Sequence, residues 1–227
     1  MTDRAALVFL LDVDNTLFDN DRFATDLSAH LEQAFGATER ERYWSLYAQR
    51  RARLSYADYL GSLEDFRAAQ DSAPPLLQMS AFLLDYPFAE RLYPRALETI
   101  AHLQRIGQPV ILSDGDIVFQ PRKVQRAGIW DAVSGRVLIY LHKEAALASM
   151  QRHYPADHYV MVDDKPQLLA AMKAVMGARL TTVFVRQGHY ALEAQPVPAP
   201  VPPDLCIARI GDLIDMDPGA FQNARHH

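Results

Sequence analysis

The stretch Leu7-Val8-Phe9-Leu10-Leu11-Asp12-Val13-Asp14-Asn15-Thr16-Leu17-Phe18-Asp19 decides the fold of this chain. Five successive apolar residues end at two carboxylates. Such a run, followed directly by turn-forming residues, predicts a strand buried on both faces in the middle of a parallel sheet. Asp12 and Asp14 would then lie at the carboxyl end of that strand, where open α/β sheets form their ligand crevices. Their spacing of two would point both side chains to one side of the strand.

The Asp12 and Asp14 pair has two interpretations. Two carboxylates this close repel each other unless a cation or a proton lies between them. A hard divalent cation such as Mg²⁺ prefers oxygen ligands and fits such a pair. The alternative is an Asx-type turn that only ends the strand. These two residues alone do not decide between a metal site and a turn.

The bulk composition is that of an ordinary globular protein. The 227 residues, 49% hydrophobic and 22% charged, allow one large domain or a core with a smaller inserted domain. A formal net charge of -5 argues against nucleic acid as the main partner, and no apolar run reaches membrane-spanning length. The N-terminus lacks the pattern of a secretory signal, and the single Cys206 cannot form an internal disulfide. We therefore expect a cytoplasmic protein without a membrane partner.

Residues 21–89 predict an all-helical insert. No β-branched run occurs there, and apolar residues such as Phe23, Leu27 and Leu31 recur at helical spacing up to Gly36. An insert directly after the acidic strand end predicts a cap over the site. Its cationic cluster would attract an anionic substrate, or would form a solvated helix face balanced by neighbouring acids; the cluster comprises Arg40, Arg42, Arg50, Arg51 and Arg53.

From residue 93 onward, helical and extended segments alternate. Strands are predicted over 109–112, 133–141, 158–162, 181–185 and 205–210, with a proline-rich connector over 195–203. This alternation predicts an α/β fold with a doubly wound, mainly parallel sheet. Residues 1–20 and 90–227 would form this core, and residues 21–89 the cap.

Polar residues follow several of these strands. Ser113-Asp114-Gly115 offers a hydroxyl and backbone N–H groups to an anion, or forms an ordinary turn. Lys143, at a loop-to-helix junction, could neutralise carboxylate and phosphate together, or be an exposed surface lysine. Lys123 is its rival, but falls within a predicted helix. Asp163-Asp164 is a second acidic pair at a second strand end, which turns alone explain poorly.

In these residue types and their order, the chain resembles the haloacid dehalogenase-like superfamily. The resemblance covers residues 1 to about 20 and 90 to about 215. Its motifs are Asp-x-Asp-x-Thr at Asp12–Thr16, Ile111-Leu112-Ser113, Lys143, and Val162-Asp163-Asp164. Residues 21–89 match the family's cap in position and helical character. The third motif often has proline after its lysine, whereas this chain has Glu144.

The resemblance implies a role for each matched position. Asp12 would be the nucleophile that forms an aspartyl-phosphate. Asp14 would be the general acid and base, with its backbone carbonyl at the metal, and Thr16 would brace the loop. The phosphate-binding residues would be Ser113, Asp114, Gly115 and Lys143. The Mg²⁺ ligands would be Asp12, Asp14, Asp163 and Asp164.

Asp14 also indicates the reaction class that the resemblance implies. Haloacid dehalogenases proper need no general acid for a departing halide and lack an aspartate two residues after the nucleophile. We therefore expect a Mg²⁺-dependent phosphomonoester hydrolase that acts on a small phosphorylated metabolite. A phosphomutase with the same aspartyl-phosphate is one alternative. A non-catalytic phosphoacceptor or ligand-binding module is another.

Overall fold

A computed structural model describes residues 4–69, 73–189 and 201–223. Within these ranges the chain forms a six-stranded sheet, in the spatial order β3-β2-β1-β4-β5-β6, and every neighbouring pair is parallel. This confirms the predicted doubly wound parallel sheet. The strands are β1 (Ala5–Leu11), β2 (Gln108–Asp114), β3 (Val137–Tyr140), β4 (Ala156–Asp163), β5 (Leu180–Val185) and β6 (Leu205–Ile207).

Strand β1 lies in the middle of the sheet because its side chains bury on both faces. Its alternate residues enter two separate apolar clusters, as a strand period of two requires. Leu7, Phe9 and Leu11 pack in one cluster, and Val8 and Leu10 in the other. The apolar run that predicted a doubly buried strand is thus explained by a layer of helices on each side of the sheet.

The register of the central strands brings their carboxyl ends together. Leu11, the last residue of β1, is level with Ile111 of β2 and with Val162 of β4. Residues that follow Leu11 and Val162 therefore emerge at the same edge of the sheet. This alignment, rather than any sequence spacing, places Asp12 beside Asp163.

The described residues between β1 and β2 form helices, as the apolar periodicity predicts. They are α1 (Asn20–Phe35), α2 (Ala37–Leu54), α3 (Tyr59–Arg67), α4 (Ala73–Asp85), a 3₁₀ turn (Phe88–Arg91) and α5 (Ala96–Leu103). The Asp19 side chain caps α1 by accepting the N–H of Arg22 at 2.9 Å, and Gly36 ends this helix at a φ of 87°. The domain boundaries near residues 20 and 90 stay a prediction.

The later helices alternate with the strands. They are α6 (Phe119–Arg126), α7 (Ile129–Ala132), α8 (Leu147–His153), α9 (Pro166–Met176) and α10 (Ala220–Asn223). Within the described ranges, no helix has both the length and the apolar character needed to cross a membrane.

Two predicted strands are shorter in the structure. The segment 133–141 becomes a strand only at Val137, because Ser134 and Gly135 adopt left-handed φ values of 53° and 73° and turn the chain. The segment 205–210 ends at Ile207, because a capped 3₁₀ turn begins at Ile210. Most of the predicted proline-rich connector, residues 195–200, lies outside the described residues.

Candidate active site

Lys143 connects the ends of β1 and β4. It lies in a 3₁₀ turn after β3 and is fully buried, so the exposed-lysine alternative is wrong. Its Nζ lies 2.5 Å from Asp12 Oδ1 and 2.6 Å from Asp163 Oδ2, and its backbone N–H donates to Asp114 Oδ1 at 2.7 Å. Burial alone would lower the pKa of Lys143, but Asp12 and then Asp163 raise it above its usual value. The side chain is therefore a charged ammonium group between two carboxylates.

Asp12, Asp163 and Asp164 form a group of buried carboxylates. One oxygen from each lies within 4.8 Å of the others. Asp12 Oδ2 and both carboxylate oxygens of Asp164 are buried without a hydrogen-bond donor among the described residues. Burial, opposed by Lys143 and assisted by Asp163, raises the pKa of Asp12 to about 7. Burial and then the carboxylates of Asp163 and Asp12 raise the pKa of Asp164 to about 9. Unsatisfied buried oxygens that repel one another fit a hard divalent cation such as Mg²⁺.

The carboxylate of Asp14 contacts donors on helix α6 instead of this group. Lys123 Nζ lies 2.6 Å from Asp14 Oδ1, and Gln120 Nε2 lies 3.1 Å from Asp14 Oδ2. Lys123 is fully buried. The two lysines therefore have separate partners: Lys143 binds Asp12, while Lys123 binds Asp14. Metal ligation by Asp14, which the resemblance assigns to its backbone carbonyl, stays a prediction.

Ser113 and Asp114 are the last two residues of β2, and Gly115 follows the strand. The buried Ser113 hydroxyl accepts Gln120 Nε2 at 3.0 Å, and burial raises the pKa of Asp114. The N–H of Gly115 donates to the carbonyl of Tyr140 at 3.0 Å. This N–H therefore completes the end of the β2–β3 pairing, and anion binding by the other backbone N–H groups of this loop stays a prediction. Phosphate binding by the Ser113 hydroxyl and the Lys143 ammonium stays a prediction.

The loop after Asp14 is fixed by local hydrogen bonds. Asn15 adopts a left-handed φ of 57°, which asparagine tolerates better than most residues. Its side chain accepts the N–H of Asn20 at 3.1 Å and donates to Asp21 at 3.2 Å. The carbonyl of the buried Thr16 accepts Gln187 Nε2 at 2.9 Å. This loop therefore holds Asp12 and Asp14 in fixed positions relative to the insert.

A cavity of about 80 Å³ opens between the sheet edge and the helical insert. Its walls include Asp14, Asp114, Asp164 and Lys165 on the core side, and Asn20, Tyr47, Arg51 and Tyr56 on the insert side. A larger cleft of about 620 Å³ is lined by residues that include Tyr93 and Arg186, but by none of Asp12, Asp163 and Asp164. We take the smaller cavity as the candidate active site because Asp14 and Asp164 line it.

Four of the five arginines of the cationic cluster have surroundings that bear on its two explanations. Arg40, Arg42 and Arg50 form ion pairs with acids of the insert, at Glu32, Glu39 and Asp58. These pairs support the balance by neighbouring acids that the second explanation expects, but the three arginine side chains are only 20–29% exposed. Arg51 lines the cavity. Attraction of an anionic substrate by this cluster stays a prediction.

Comparison with known proteins agrees with this arrangement. A family model of haloacid dehalogenase-like hydrolases matches residues 7–175. The chain belongs to the haloacid dehalogenase-like hydrolases. A crystal structure from Burkholderia xenovorans LB400, described as a candidate haloacid dehalogenase-like hydrolase, is 55% identical to this HAD-like hydrolase. It has a TM-score of 0.89, and the match covers 95% of this chain and 98% of that one.

More distant solved structures show the shared fold alone. The candidate HAD hydrolase YfnB from Bacillus subtilis, bound to magnesium, is 13% identical with a TM-score of 0.64, covering 94% of this chain and 98% of that one. The L-2-haloacid dehalogenase from Xanthobacter autotrophicus is 18% identical with a TM-score of 0.58, covering 92% and 96%. A search of curated proteins found no match.

The carboxylate group predicts how the stability of this HAD-like hydrolase depends on pH without metal. Asp12 and Asp164 have folded pKa values of about 7 and about 9, against 3.8 for ordinary aspartate. Between the ordinary aspartate pKa of 3.8 and the Asp164 pKa of about 9, the folded chain binds more protons at these two residues than the unfolded chain does. Each rise in pH over this range therefore lowers the free energy of unfolding. With EDTA present, we expect the Tm to fall steadily from about pH 5 to about pH 9. Saturating Mg²⁺ should remove most of this decline, because the ion replaces the protons.

Differential scanning calorimetry at each pH, with EDTA and with Mg²⁺, measures this effect. A Tm in EDTA that rises with pH over the same range would show that these carboxylates are not protonated in the folded protein.

Proposed function

We propose that this HAD-like hydrolase is a Mg²⁺-dependent phosphomonoesterase that acts on a small phosphorylated metabolite through an aspartyl-phosphate at Asp12. The observation that supports this is the different surroundings of the two carboxylates after β1. Asp12 lies in the buried acidic group beside Lys143. Asp14 lines the cavity and is held by two donors of α6. These surroundings support Asp12 as the group that attacks phosphorus and Asp14 as the group that exchanges a proton with the leaving group.

The reaction would proceed in two displacements. A carboxylate oxygen of Asp12 bonds to phosphorus, the bond from phosphorus to the ester oxygen breaks, and Asp14 donates its proton to the departing oxygen. Asp14, now ionised, then takes a proton from water as the water oxygen bonds to phosphorus. The bond from phosphorus to Asp12 breaks, which releases inorganic phosphate and restores the free carboxylate.

Positive charge is what this chemistry needs most, because an anionic nucleophile must approach an anionic ester. Lys143 supplies one charge at Asp12. Mg²⁺, when held by Asp12, Asp163 and Asp164, would neutralise further charge on the phosphoryl oxygens. The unsatisfied oxygens of Asp12 and Asp164 fit this role. YfnB, which shares the fold, carries magnesium in its structure.

Dehalogenation is the competing hydrolase reaction, since L-2-haloacid dehalogenases share the fold. A halide ion leaves without a proton, so that reaction gives Asp14 no task. Phosphate esters give it one, and the two α6 donors that fix its carboxylate support the phosphatase proposal. A phosphomutase would use the same aspartyl-phosphate, but would return the phosphoryl group to a substrate hydroxyl instead of water.

Parallel assays with p-nitrophenyl phosphate and 2-chloropropionate test the proposal. We expect phosphate release that requires Mg²⁺, stops with EDTA and returns when Mg²⁺ is added back, without chloride release. Asp164→Asn should raise the Mg²⁺ concentration for half-maximal activity by at least about tenfold. The matched control Asp157→Asn changes an exposed residue that pairs with Arg4. This variant should leave the Mg²⁺ concentration for half-maximal activity unchanged. Chloride release that is independent of Mg²⁺ would contradict the proposal.

A further inference from the structure

Helix α6 presents two donors to the two oxygens of one carboxylate. Gln120 and Lys123 lie three positions apart, so they share one face of the helix. Gln120 Nε2 reaches Asp14 Oδ2 at 3.1 Å, and Lys123 Nζ reaches Asp14 Oδ1 at 2.6 Å. Both side chains are buried, whereas the Asp14 side chain remains 25% exposed toward the cavity.

The surroundings of Lys123 are costly for a charged group. Its Nζ lies 5.1 Å from the centre of the Phe18 ring, 5.3 Å from that of Phe119 and 6.0 Å from that of Phe23. Cation–π attraction and the carboxylate compensate part of the desolvation of the ammonium group. Apolar side chains of similar size in place of both Lys123 and Asp14 would often leave a fold equally or more stable. Stability alone therefore gives little reason for this ion pair.

Each donor also contacts a second polar group at the site. Gln120 Nε2 donates to the Ser113 hydroxyl at 3.0 Å. Lys123 Nζ donates to Asn20 Oδ1 at 3.3 Å, and Asn20 lines the cavity at the start of α1. The position of the Asp14 carboxylate is thereby tied both to β2 and to the helical insert.

We propose that Gln120 and Lys123 are positioning residues that hold the Asp14 carboxylate in the orientation that transfers a proton to the leaving group. This inference rests on the proposed phosphatase function, because it assigns α6 a part in that reaction. Without the two donors, the Asp14 side chain can rotate away from the leaving oxygen. Proton transfer then becomes slow, while the attack by Asp12 is unaffected.

Two probes of similar shape measure proton transfer separately from the rest of the reaction. The leaving group of phenyl phosphate is a basic phenolate, whose departure benefits from a proton. The leaving group of p-nitrophenyl phosphate is p-nitrophenolate, which the nitro group makes a better leaving group without a proton. In Lys123→Met and Gln120→Leu we expect kcat/KM for phenyl phosphate to fall by about 10²-fold. We expect a loss at least about tenfold smaller for p-nitrophenyl phosphate. Lys123→Arg, which keeps the charge, should recover part of the loss.

Gln125→Leu is the matched control, because it makes the same change on an exposed face of α6 and should leave both rates unchanged. If Lys123→Met does not fold, Gln120→Leu, which removes no charge, still tests whether the α6 donors position the Asp14 carboxylate. Equal losses on both probes, or no loss, in a folded Gln120→Leu enzyme would overturn the positioning role. If the unmodified enzyme shows no Mg²⁺-dependent turnover of either probe, the proposed function fails first, and this inference fails with it.

Discussion

Asp12→Asn is expected to lower kcat/KM for p-nitrophenyl phosphate by about 10⁴-fold or more, because an amide oxygen does not form the acyl-phosphate that the reaction needs. The substitution keeps the shape of the side chain and removes one charge from a group of three buried carboxylates. The folded protein without metal should therefore be at least as stable as before. Steady-state kinetics and thermal unfolding in EDTA measure the two effects together.

The matched control for this substitution is Asp157→Asn. Asp157 lies in β4, in the same strand as Asp163, but its side chain is 65% exposed and pairs with Arg4. A surface pair of this kind contributes little to stability, so both activity and Tm should stay close to the unmodified values. An Asp12→Asn enzyme that keeps more than about a hundredth of the activity would show that another residue attacks phosphorus.

Lys143→Met is expected to abolish activity and to destabilise the folded protein. Lys143 is the buried cation that contacts both Asp12 and Asp163. Its removal leaves Asp12 and Asp163 without the cation that they contact directly, and breaking a buried ion pair in this way typically costs about 3–5 kcal/mol. Mg²⁺ should restore part of this loss, because the ion supplies positive charge to the same oxygens. Urea unfolding with EDTA and with Mg²⁺ measures the free energy in both conditions.

Lys173→Met is the control for this prediction. Lys173 also forms an ion pair, with Asp204 at 2.7 Å, but this pair lies away from the acidic group. Mg²⁺ should therefore restore none of the stability that Lys173→Met loses. A Lys143→Met protein as stable in EDTA as the unmodified protein would contradict the bridging role of Lys143.

The sheet and its acidic edge could be predicted because a strand buried on both faces requires a continuous run of apolar residues in the sequence. The apolar run of β1 fits only a strand covered on both faces, and polar residues begin where such a strand leaves the core. The same reasoning applied to β4 found Asp163 and Asp164. The convergence of Asp12 with these acids then follows from the parallel register of the two strands.

The partners of Asp14 could not be predicted, because they depend on tertiary packing. Gln120 and Lys123 lie 106 and 109 residues after Asp14, and no sequence spacing indicates which strand end α6 faces. One signal was available. Both polar residues share a helix face with the buried Val124 and Ala127, and polar side chains on a buried face need a partner. The partner of the Gly115 N–H was equally hidden, because it is a carbonyl in β3.

The central claim is that Asp12 accepts the phosphoryl group. The most direct test traps the phosphorylated enzyme. A reaction with excess substrate is stopped in acid, the protein is reduced with borohydride, and its peptides are mapped by mass spectrometry. Borohydride converts an aspartyl-phosphate to homoserine, which marks the residue that carried the phosphoryl group. We expect homoserine at position 12, only when both Mg²⁺ and substrate were present, and none in Lys143→Met. Steady phosphate release with unmodified aspartate at position 12, or homoserine at another position, would contradict the mechanism.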